Sequence, residues 1–242
     1  QPYRGNLSHY PAGRRLFDRK GTLVCARLGP GDILCEPITI DRAGDWVVKA
    51  LVSAEDKRFH RHPGVDALAV VRAAAQNIAA GRVVSGASTI TTMVIKLSHP
   101  RPRTFMAKVV EARHALALKR ILSKAQILEQ YLNRAPFGGN VCGIESAARR
   151  YFNKPAADLT LSESAMLVGL PQAPSRLRPD RHFEAALRRR DYVLGRMLAC
   201  GAITAEQHAA AVADRPRIQS GVLPRPAPNF CDMVLERTPP SP

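Results

Sequence analysis

The amino-acid sequence predicts a mainly α-helical fold that begins with a short pair of strands, and three observations support this prediction. Apolar residues recur at helical spacing over most of residues 41–215. Two segments, beginning at Ser123 and Thr204, place a hydroxyl residue three positions before a glutamine, which is the spacing of a helix-capping box. Strand-like runs are confined to residues 14–40. A fold built on alternating strands and helices is therefore disfavoured.

Both ends of the chain differ in character from the helical body. The N-terminal strands are expected at residues 15–18 and 22–25, with Gly21 supplying a positive φ in the turn between them. Residues 216–242 are rich in proline, which is typical of an extended linker rather than of a packed element. A linker at this place suggests that a further domain follows.

The helix boundaries are predicted from capping and breaking residues. Asp45, Asp66 and Ser88 are expected to cap the first three helices, and Gly81 is expected to end the second. The later helices are expected at residues 104–122, 123–133, 144–151, 161–169, 182–200 and 204–213. Residues 137–140, with two glycines and an asparagine, are expected to form a loop.

The composition excludes several classes of protein. The chain has 242 residues, of which 45% are hydrophobic, so it can bury a core, and disorder is excluded for most of the chain. Because no run of about 18 apolar residues occurs, a polytopic membrane protein is excluded. The formal net charge of +16 fits nucleic acid, an anionic membrane surface or a phosphorylated substrate. Composition alone does not choose among these partners.

The cysteines give no pattern. Cys25, Cys35, Cys142, Cys200 and Cys231 are scattered, and none belongs to a C-x-x-C pair. This spacing predicts buried or unreactive thiols rather than a disulfide framework or a metal site.

Residues 55–66 are dense in polar side chains directly after an apolar helix. Glu55 and Asp56 are adjacent, so they cannot face the same side of a solvated helix. The plain alternative is an ordinary helix end with solvated charges. His60 and His62 have no third ligand at a matching spacing, so a zinc site is disfavoured.

Two further segments combine helix starts with cations. Residues 86–96 run from small and hydroxyl residues to Lys96, and free backbone N–H groups at such a helix start suit an anion. On the long helix that follows, Glu111 lies three residues after Lys108, with Arg103 further upstream. The plain alternatives are a Ser-capped helix and an i,i+3 ion pair.

The three segments together suggest a chemistry. Breaking a bond between a sugar and a diphosphate requires positive charge around the departing phosphates rather than a strong general acid. One carboxylate can then act as general base toward an incoming hydroxyl. An enzyme that hydrolyses a sugar–sugar bond would instead need a protonated acid, and an excess of cations would not help it.

Five segments in order resemble the signature motifs of the peptidoglycan glycosyltransferases, glycosyltransferase family 51. They are Glu55-Asp56-x-x-Phe59-x-x-His62-x-Gly64-Val65-Asp66, Gly86-x-Ser88-Thr89-Ile90-Thr91 with Lys96, Lys108-x-x-Glu111 with Arg103, Ile127-Leu128-Glu129-x-Tyr131-Leu132-Asn133 with Phe137-Gly138, and residues 161–174. Their order and spacing extend over about residues 15–215. Each motif alone is weak, whereas five in order are specific.

Further details resemble the 1C branch of the class A penicillin-binding proteins. They are His99-Pro100-Arg101, residues 135–139 and residues 174–182. In such proteins a membrane anchor precedes this domain and a transpeptidase domain follows it. The resemblance therefore implies a domain at residues 41–215 after an N-terminal segment, with residues 216–242 leading toward the transpeptidase domain. It also implies a place at the periplasmic face of the inner membrane.

The resemblance implies a lysozyme-like helical head with a smaller, membrane-facing jaw at about residues 67–84. It implies that lipid II is the acceptor, that a growing lipid-linked glycan is the donor, and that a β-1,4 linkage forms with inversion. By motif position, Glu55 would be the base for the acceptor 4-hydroxyl. Glu111 would lie at the donor diphosphate, with or without Mg²⁺ or Mn²⁺.

The same motifs imply a set of substrate-binding residues and no metal-ligand cluster in the protein itself. The set consists of Asp56, Phe59, His62, Ser88, Thr89, Lys96, Arg103, Lys108 and Asn133. The sequence departs from the family pattern at Thr92 and Met93, where Gln-Gln is usual, at Leu97, where Asn is usual, and at Ala107, where Arg is common. These departures affect the expected strength of diphosphate binding.

Three other functions stay open at this point. A basic nucleic-acid-binding module would use the positive charge, although the chain has no nucleic-acid motif and few aromatic residues for stacking on bases. A lysozyme-like hydrolase would share the fold. A family member that binds lipid II without turnover would fit the altered second motif.

Overall fold

A computed structural model describes most of the chain, and within its described part the fold is mainly α-helical, as predicted. The described residues are 12–17, 19, 23–84, 86–100, 102 and 104–219, together with Leu7, Tyr10, Met233, Val234 and Arg237. The helices are α1 Asp45–Glu55, α2 Ala67–Ala80, α3 Ile90–Ser98, α4 Phe105–Lys119, α5 Lys124–Arg134, α6 Ile144–Phe152, α7 Leu161–Gly169, α8 Phe183–Ala199 and α9 Ala205–Ala213. The strands are β1 Arg14–Phe17, β2 Leu23–Arg27, β3 Leu34–Cys35, β4 Pro136–Gly138 and β5 Val141–Cys142.

The N-terminal strand pair is confirmed. Strands β1 and β2 run antiparallel, with Arg14 opposite Arg27, and a register shift follows Leu16. Most of the turn that joins them, including Gly21, lies outside the described residues.

A second sheet, in the order β3-β5-β4, corrects the loop expected at residues 137–140. Strands β4 and β5 form an antiparallel hairpin, and β3 pairs in parallel with β5. Leu34 donates its N–H to the carbonyl of Asn140, in the turn of the hairpin, at 2.8 Å. The partner strand comes from a distant part of the chain, so a local sequence pattern could not predict it.

The core lies where α1, α7 and α8 pack together and where α3 packs between α4 and α5. Its largest fully buried side chains include Tyr151, Phe59, Phe137 and Leu51. Helix α1 ends in this core at Glu55, and α3 begins beside that end. The packing therefore brings the first two polar segments of the sequence together.

Most predicted helix starts are confirmed, and two are wrong. Asp66 accepts the Ala69 N–H at 3.1 Å, and Ser123 and Thr204 form capping boxes. Asp45, expected as a cap, is instead the first residue of α1. The cap is Gly44, whose φ of +81° and approach to residue 156 leave little room for a side chain.

Thr89, and not Ser88, caps helix α3. The Thr89 hydroxyl accepts the Thr92 N–H at 3.2 Å and donates to the carbonyl of Gly64 at 2.6 Å. Ser88 lies one residue earlier and is exposed. A contact with the Gly64 loop, which the local sequence does not reveal, thus selects the second hydroxyl residue as the cap.

Helix α2 contributes almost nothing to the core. Of its 14 residues only Ala73 is buried. Several large apolar side chains of residues 67–84 are exposed, including Ile78 at 81% and Val83 at 84%. No helix in the described part of the chain combines the length and apolarity needed to cross a bilayer.

The first residues of the proposed linker lie against the helical body. Pro216 is buried, and Gln219 donates its N–H to the carbonyl of Tyr151 at 2.8 Å. Most of the remaining linker, including residues 220–232, lies outside the described residues.

Candidate active site

The two carboxylates predicted to be catalytic line one cleft. It has a volume of about 500 Å³. Its walls come from the end of α1, from α3, α4 and α5, and from the turn after α7. The lining residues are Glu55, Ser88, Thr92, Met93, Lys96, Leu97, Glu111, Tyr131, Pro136, Pro171, Gln172 and Pro174. Lys96, the predicted cation, is among them.

A second, smaller cavity of about 120 Å³ lies on the other side of Glu55. It is bounded by the segment after α1, the first turns of α2 and residues 86–89. Polar side chains from these segments, among them Lys57 and Arg72, line most of it. Glu55 and Ser88 line both cavities, so the Glu55 carboxylate stands between two spaces that could each hold a ligand.

Glu55 is positioned by the packing of α1 against α8. Its side chain is 19% exposed, and Arg189 Nη2 lies 3.4 Å from its Oε1. Burial raises the pKa of Glu55, whereas the charges of Arg189 and Arg196 lower it and Asp56 raises it further. The net upward shift makes this carboxylate a better proton acceptor than an ordinary glutamate.

Asp56 is turned away from solvent and joins three parts of the site. His62 Nε2 lies 2.9 Å and 3.0 Å from its two carboxylate oxygens, and the Ile90 N–H donates to Oδ2 at 3.1 Å. Asp56 and His62 are 7% and 6% exposed. The structure therefore places both residues where they hold the start of α3 beside Glu55.

Replacing Asp56 by alanine is expected to lower the free energy of unfolding by about 2–4 kcal/mol, because His62 and the Ile90 N–H would lose a buried partner. Denaturant unfolding of Asp56→Ala would measure the loss. Asp158→Ala, at an exposed carboxylate, is the matched control and should change stability little. An unchanged stability of Asp56→Ala would mean that the residue does not support the site in this way.

Phe59 and Lys124 fix the turn that follows Asp56. Phe59 is fully buried, and the Lys124 ammonium lies 4.1 Å from its ring centroid. The same ammonium donates to the carbonyl of Phe59 and, at 2.8 Å, to that of His62. In this position Phe59 contacts protein groups and lies in neither cavity lining.

The start of α3 has fewer free N–H groups than the sequence suggested. The Thr89 N–H donates to the Thr92 hydroxyl at 2.9 Å, the Ile90 N–H is taken by Asp56, and the Thr92 N–H is taken by Thr89. The expectation of a row of free N–H groups for an anion is therefore wrong. The buried hydroxyl of Thr89 serves the helix cap, whereas exposed Ser88 faces both cavities.

The predicted cations are only partly brought together. Lys96 and Glu111 line the large cleft, whereas Lys108 is exposed one turn before Glu111 and lies outside that lining. Within the described part of the chain, the side chains of these three residues have no hydrogen-bond or ion-pair partner. Arg103 lies outside the described residues.

Asn133 lies in the interior and joins α5 to the segment after β3. It is 1% exposed, its Oδ1 accepts the Ile38 N–H at 3.0 Å, and its Nδ2 donates to the Ile38 carbonyl at 2.8 Å. These contacts engage both the carbonyl and the NH₂ group of the amide within the protein. Asn133 therefore holds the segment of Ile38 against α5. Tyr131, two residues earlier on α5, lines the cleft.

The sequence analysis missed Arg189 and Arg196. Arg189 contacts Glu55, and Arg196 donates to the carbonyl of Ser53 at 3.3 Å while lining the smaller cavity. The two residues are seven positions apart on α8, at the edge of its apolar stripe. That spacing is the signal that could have identified them.

Comparisons with known proteins identify a matching family and similar relatives. Residues 31–198 match the family described as Transglycosylase. Penicillin-binding protein 1C of Escherichia coli (strain K12) is 44% identical over 202 residues, which cover 84% of this chain and 26% of that protein. Penicillin-binding protein 1A of Aquifex aeolicus (strain VF5) is 41% identical over 206 residues, which cover 84% and 28%.

The fold has a relative among solved structures. The crystal structure of penicillin-binding protein 1A from Haemophilus influenzae superimposes with a TM-score of 0.50 and 20% identity, covering 94% of this chain and 24% of that one. At this level of identity the likeness concerns the fold alone. The chain spans about a quarter of the length of the relatives that it matches.

Proposed function

The chain belongs to the transglycosylase family, and we propose from this premise that it polymerises lipid II into glycan strands. A growing lipid-linked glycan is the donor and lipid II is the acceptor, joined by a β-1,4 linkage with inversion. The observation that carries the proposal is the place of Glu55 between two cavities, the larger of which also contains Lys96 and Glu111.

In this proposal Glu55 takes the proton from the acceptor 4-hydroxyl as that oxygen attacks the donor sugar. Its raised pKa increases its basicity, and the Arg189 guanidinium at 3.4 Å keeps it ionised and oriented. The smaller cavity would receive the acceptor and the larger cleft the donor. Inversion follows because the hydroxyl attacks from the side opposite the leaving diphosphate.

The larger cleft would hold the donor diphosphate. Lys96, together with Lys108 and Arg103, would balance the charge that develops on the leaving group. Glu111 alone would repel a diphosphate. A single carboxylate beside substrate phosphates fits Mg²⁺ or Mn²⁺, which would supply further positive charge when bound. The described residues hold no cluster of three or more potential metal-binding side chains, so phosphate oxygens would complete the coordination.

A second candidate, binding of lipid II without turnover, is favoured by one specific observation. Three of the positions that depart from the family pattern, Thr92, Met93 and Leu97, line the larger cleft. The Gln and Asn side chains that are usual at these positions would offer hydrogen bonds to the polar donor substrate. The apolar side chains of Met93 and Leu97 cannot form such bonds.

Polymerisation of lipid II by the purified chain, with and without divalent metal, tests the proposal. Glycan strands of increasing length are expected. Binding of lipid II without any product would support the second candidate. Release of fragments from polymeric glycan, with lipid II unchanged, would support a hydrolase. Tight, salt-dependent binding of DNA in place of lipid II would support a nucleic-acid module.

We propose that residues 67–84 form the jaw that rests on the membrane. Leu68, Val71 and Ile78 are exposed on α2, with Arg72 and Arg82 beside them, and this combination suits the interface of an anionic bilayer. The chain would then act at the periplasmic face of the inner membrane. A transpeptidase domain would follow it in the full-length protein.

The substitutions Val83→Glu and Val84→Glu are expected to weaken association with anionic liposomes while leaving the melting temperature within about 1–2 °C of that of the unsubstituted chain. The reason is that these side chains are 84% and 50% exposed and contribute little to the core. Liposome co-sedimentation and thermal unfolding measure the two effects. Glutamate at Val212, an apolar position on α9 away from the jaw, is the control. A large loss of melting temperature would show that the two valines are core residues.

A further inference from the structure

Two thiols meet in the small sheet, away from the cleft. Strands β3 and β5 are parallel and in register, with Cys35 directly opposite Cys142, so both side chains project from the same face. The Cys35 and Cys142 sulfur atoms lie 3.6 Å and 3.5 Å from one shared acceptor, the carbonyl oxygen of Asn133.

We propose that Cys35 and Cys142 form an intramolecular disulfide, which links β3 to the β4–β5 hairpin under oxidising conditions. Backbones of paired strands lie about 4.8 Å apart, within the range that a disulfide spans between Cα atoms. A small-molecule or protein disulfide is the oxidant. The two thiols become one S–S bond, the oxidant's S–S bond breaks, and both protons and both electrons pass to its two thiols. This proposal does not depend on the proposed function.

The surroundings of the pair set the order of the two exchange steps. Cys142 is partly exposed, whereas Cys35 is 4% exposed. The neighbouring Cys35 thiol, as a potential hydrogen-bond donor, and the charge of Arg134 lower the pKa of Cys142, whereas the neighbouring Cys142 and burial raise the pKa of Cys35. Cys142 therefore attacks the oxidant first and forms a mixed disulfide with it. Cys35 then attacks the Cys142 sulfur, and the oxidant's remaining sulfur leaves as a thiol.

The bond would stabilise the segment that borders the site. Cys35 and Cys142 are more than a hundred residues apart in the sequence, so their link closes a long loop of the unfolded chain. It also joins the segment of Ile38 to the hairpin beside Asn133, which already clamps that segment. The expected effect is a rise in melting temperature of about 5–15 °C on oxidation.

Incubation of the folded, reduced chain with oxidised glutathione tests the proposal. The thiols of Cys35 and Cys142 should both be lost without gain of glutathione, whereas the exposed Cys200 can lose its thiol only by forming a glutathione adduct. A non-reducing digest analysed by mass spectrometry should contain one cross-linked pair, the peptide with Cys35 joined to that with Cys142, and dithiothreitol should release it. No loss of thiols, a stable glutathione adduct on Cys142, or cross-linking of any other pair would overturn the proposal.

Serine variants separate the bond from general effects of oxidation. Cys142→Ser keeps a hydroxyl near the carbonyl of Asn133 and should abolish the oxidation-dependent rise in melting temperature. Cys200→Ser is the matched control, because Cys200 is an exposed thiol at the end of α8. It should retain the full rise. A rise that persists in Cys142→Ser would contradict the assignment of the pair.

Discussion

Polymerisation of lipid II is expected to fall by about 10²–10⁴-fold when Glu55 is replaced by glutamine, because the general base is then lost. Glutamine has the size of glutamate and can still accept a hydrogen bond from Arg189, so the two cavities should keep their shape. Binding of lipid II should therefore be unchanged. A glycan-chain assay together with a binding measurement would separate the loss of turnover from a loss of affinity.

The same variant tests the environment of the carboxylate through its stability. Burial raises the pKa of Glu55 in the folded chain above its ordinary value of 4.5. The folded state therefore binds the proton more tightly, and the wild type loses stability as the pH rises from the unfolded pKa through the folded one. Glu55→Gln lacks this loss. Its melting temperature should match that of the wild type at low pH and exceed it at neutral pH.

The pH dependence of the polymerisation rate should reveal the same raised pKa. Only the carboxylate form of Glu55 can accept the proton, so the acidic limb of the rate should lie at a higher pH than for an ordinary glutamate. Glu206→Gln, at an exposed position of α9, is the control for both measurements. Wild-type polymerisation by Glu55→Gln would remove Glu55 from the role of base.

The family predicted from the motifs is confirmed, and so is the mainly helical fold. Local signals predicted the helices well because their starts are determined by residues three positions apart, as in the Ser123 and Thr204 capping boxes. The β3-β5-β4 sheet was missed because its three strands have only two or three residues each and one pairing is distant in sequence. So short a strand shows no alternation.

The candidate site was predicted in part. Sequence motifs identified Glu55, Lys96 and Glu111, which the structure brings to one cleft. The motifs could not distinguish residues that face the cleft from those that support it, because both kinds occur in the same short segments. Asn133 lies within these motifs, yet its contacts are with the protein interior. Asp56 lines the smaller cavity and also binds the interior groups of His62 and Ile90. Their predicted contact with substrate stays a prediction.

The contact between Glu55 and Arg189 could not be predicted from the local sequence, for a different reason. Arg189 is more than a hundred residues from Glu55 in the sequence and belongs to a run of three arginines on α8. Arg188 is exposed and Arg190 is 2% exposed, where it donates to Ser162 at 3.0 Å. Only the packing of α8 against α1 selects Arg189 as the partner of the carboxylate.

Removing the Lys96 ammonium is expected to slow polymerisation by about 10–100-fold, which separates a transferase from a hydrolase. Lys96 faces the larger cleft and has no ionic partner within the described part of the chain. A charge-assisted contact to a leaving diphosphate is worth about 1.5–3 kcal/mol, which corresponds to that loss of rate. The rate of hydrolysis of an uncharged glycan would not fall in the same variant, because no charge develops on phosphates in that reaction.

The experiment compares Lys96→Ala with Lys119→Ala at matched protein concentration, with circular dichroism to verify folding. Lys119 is exposed at the end of α4 and lines neither cavity, so its variant should polymerise normally. Arg103→Ala should slow polymerisation as Lys96→Ala does, because both cations are proposed to contact the diphosphate. A phosphoglycolipid of the moenomycin type should bind both affected variants less tightly. Full activity of Lys96→Ala and Arg103→Ala would remove the diphosphate role, and attraction to an anionic membrane would then account for the +16 charge.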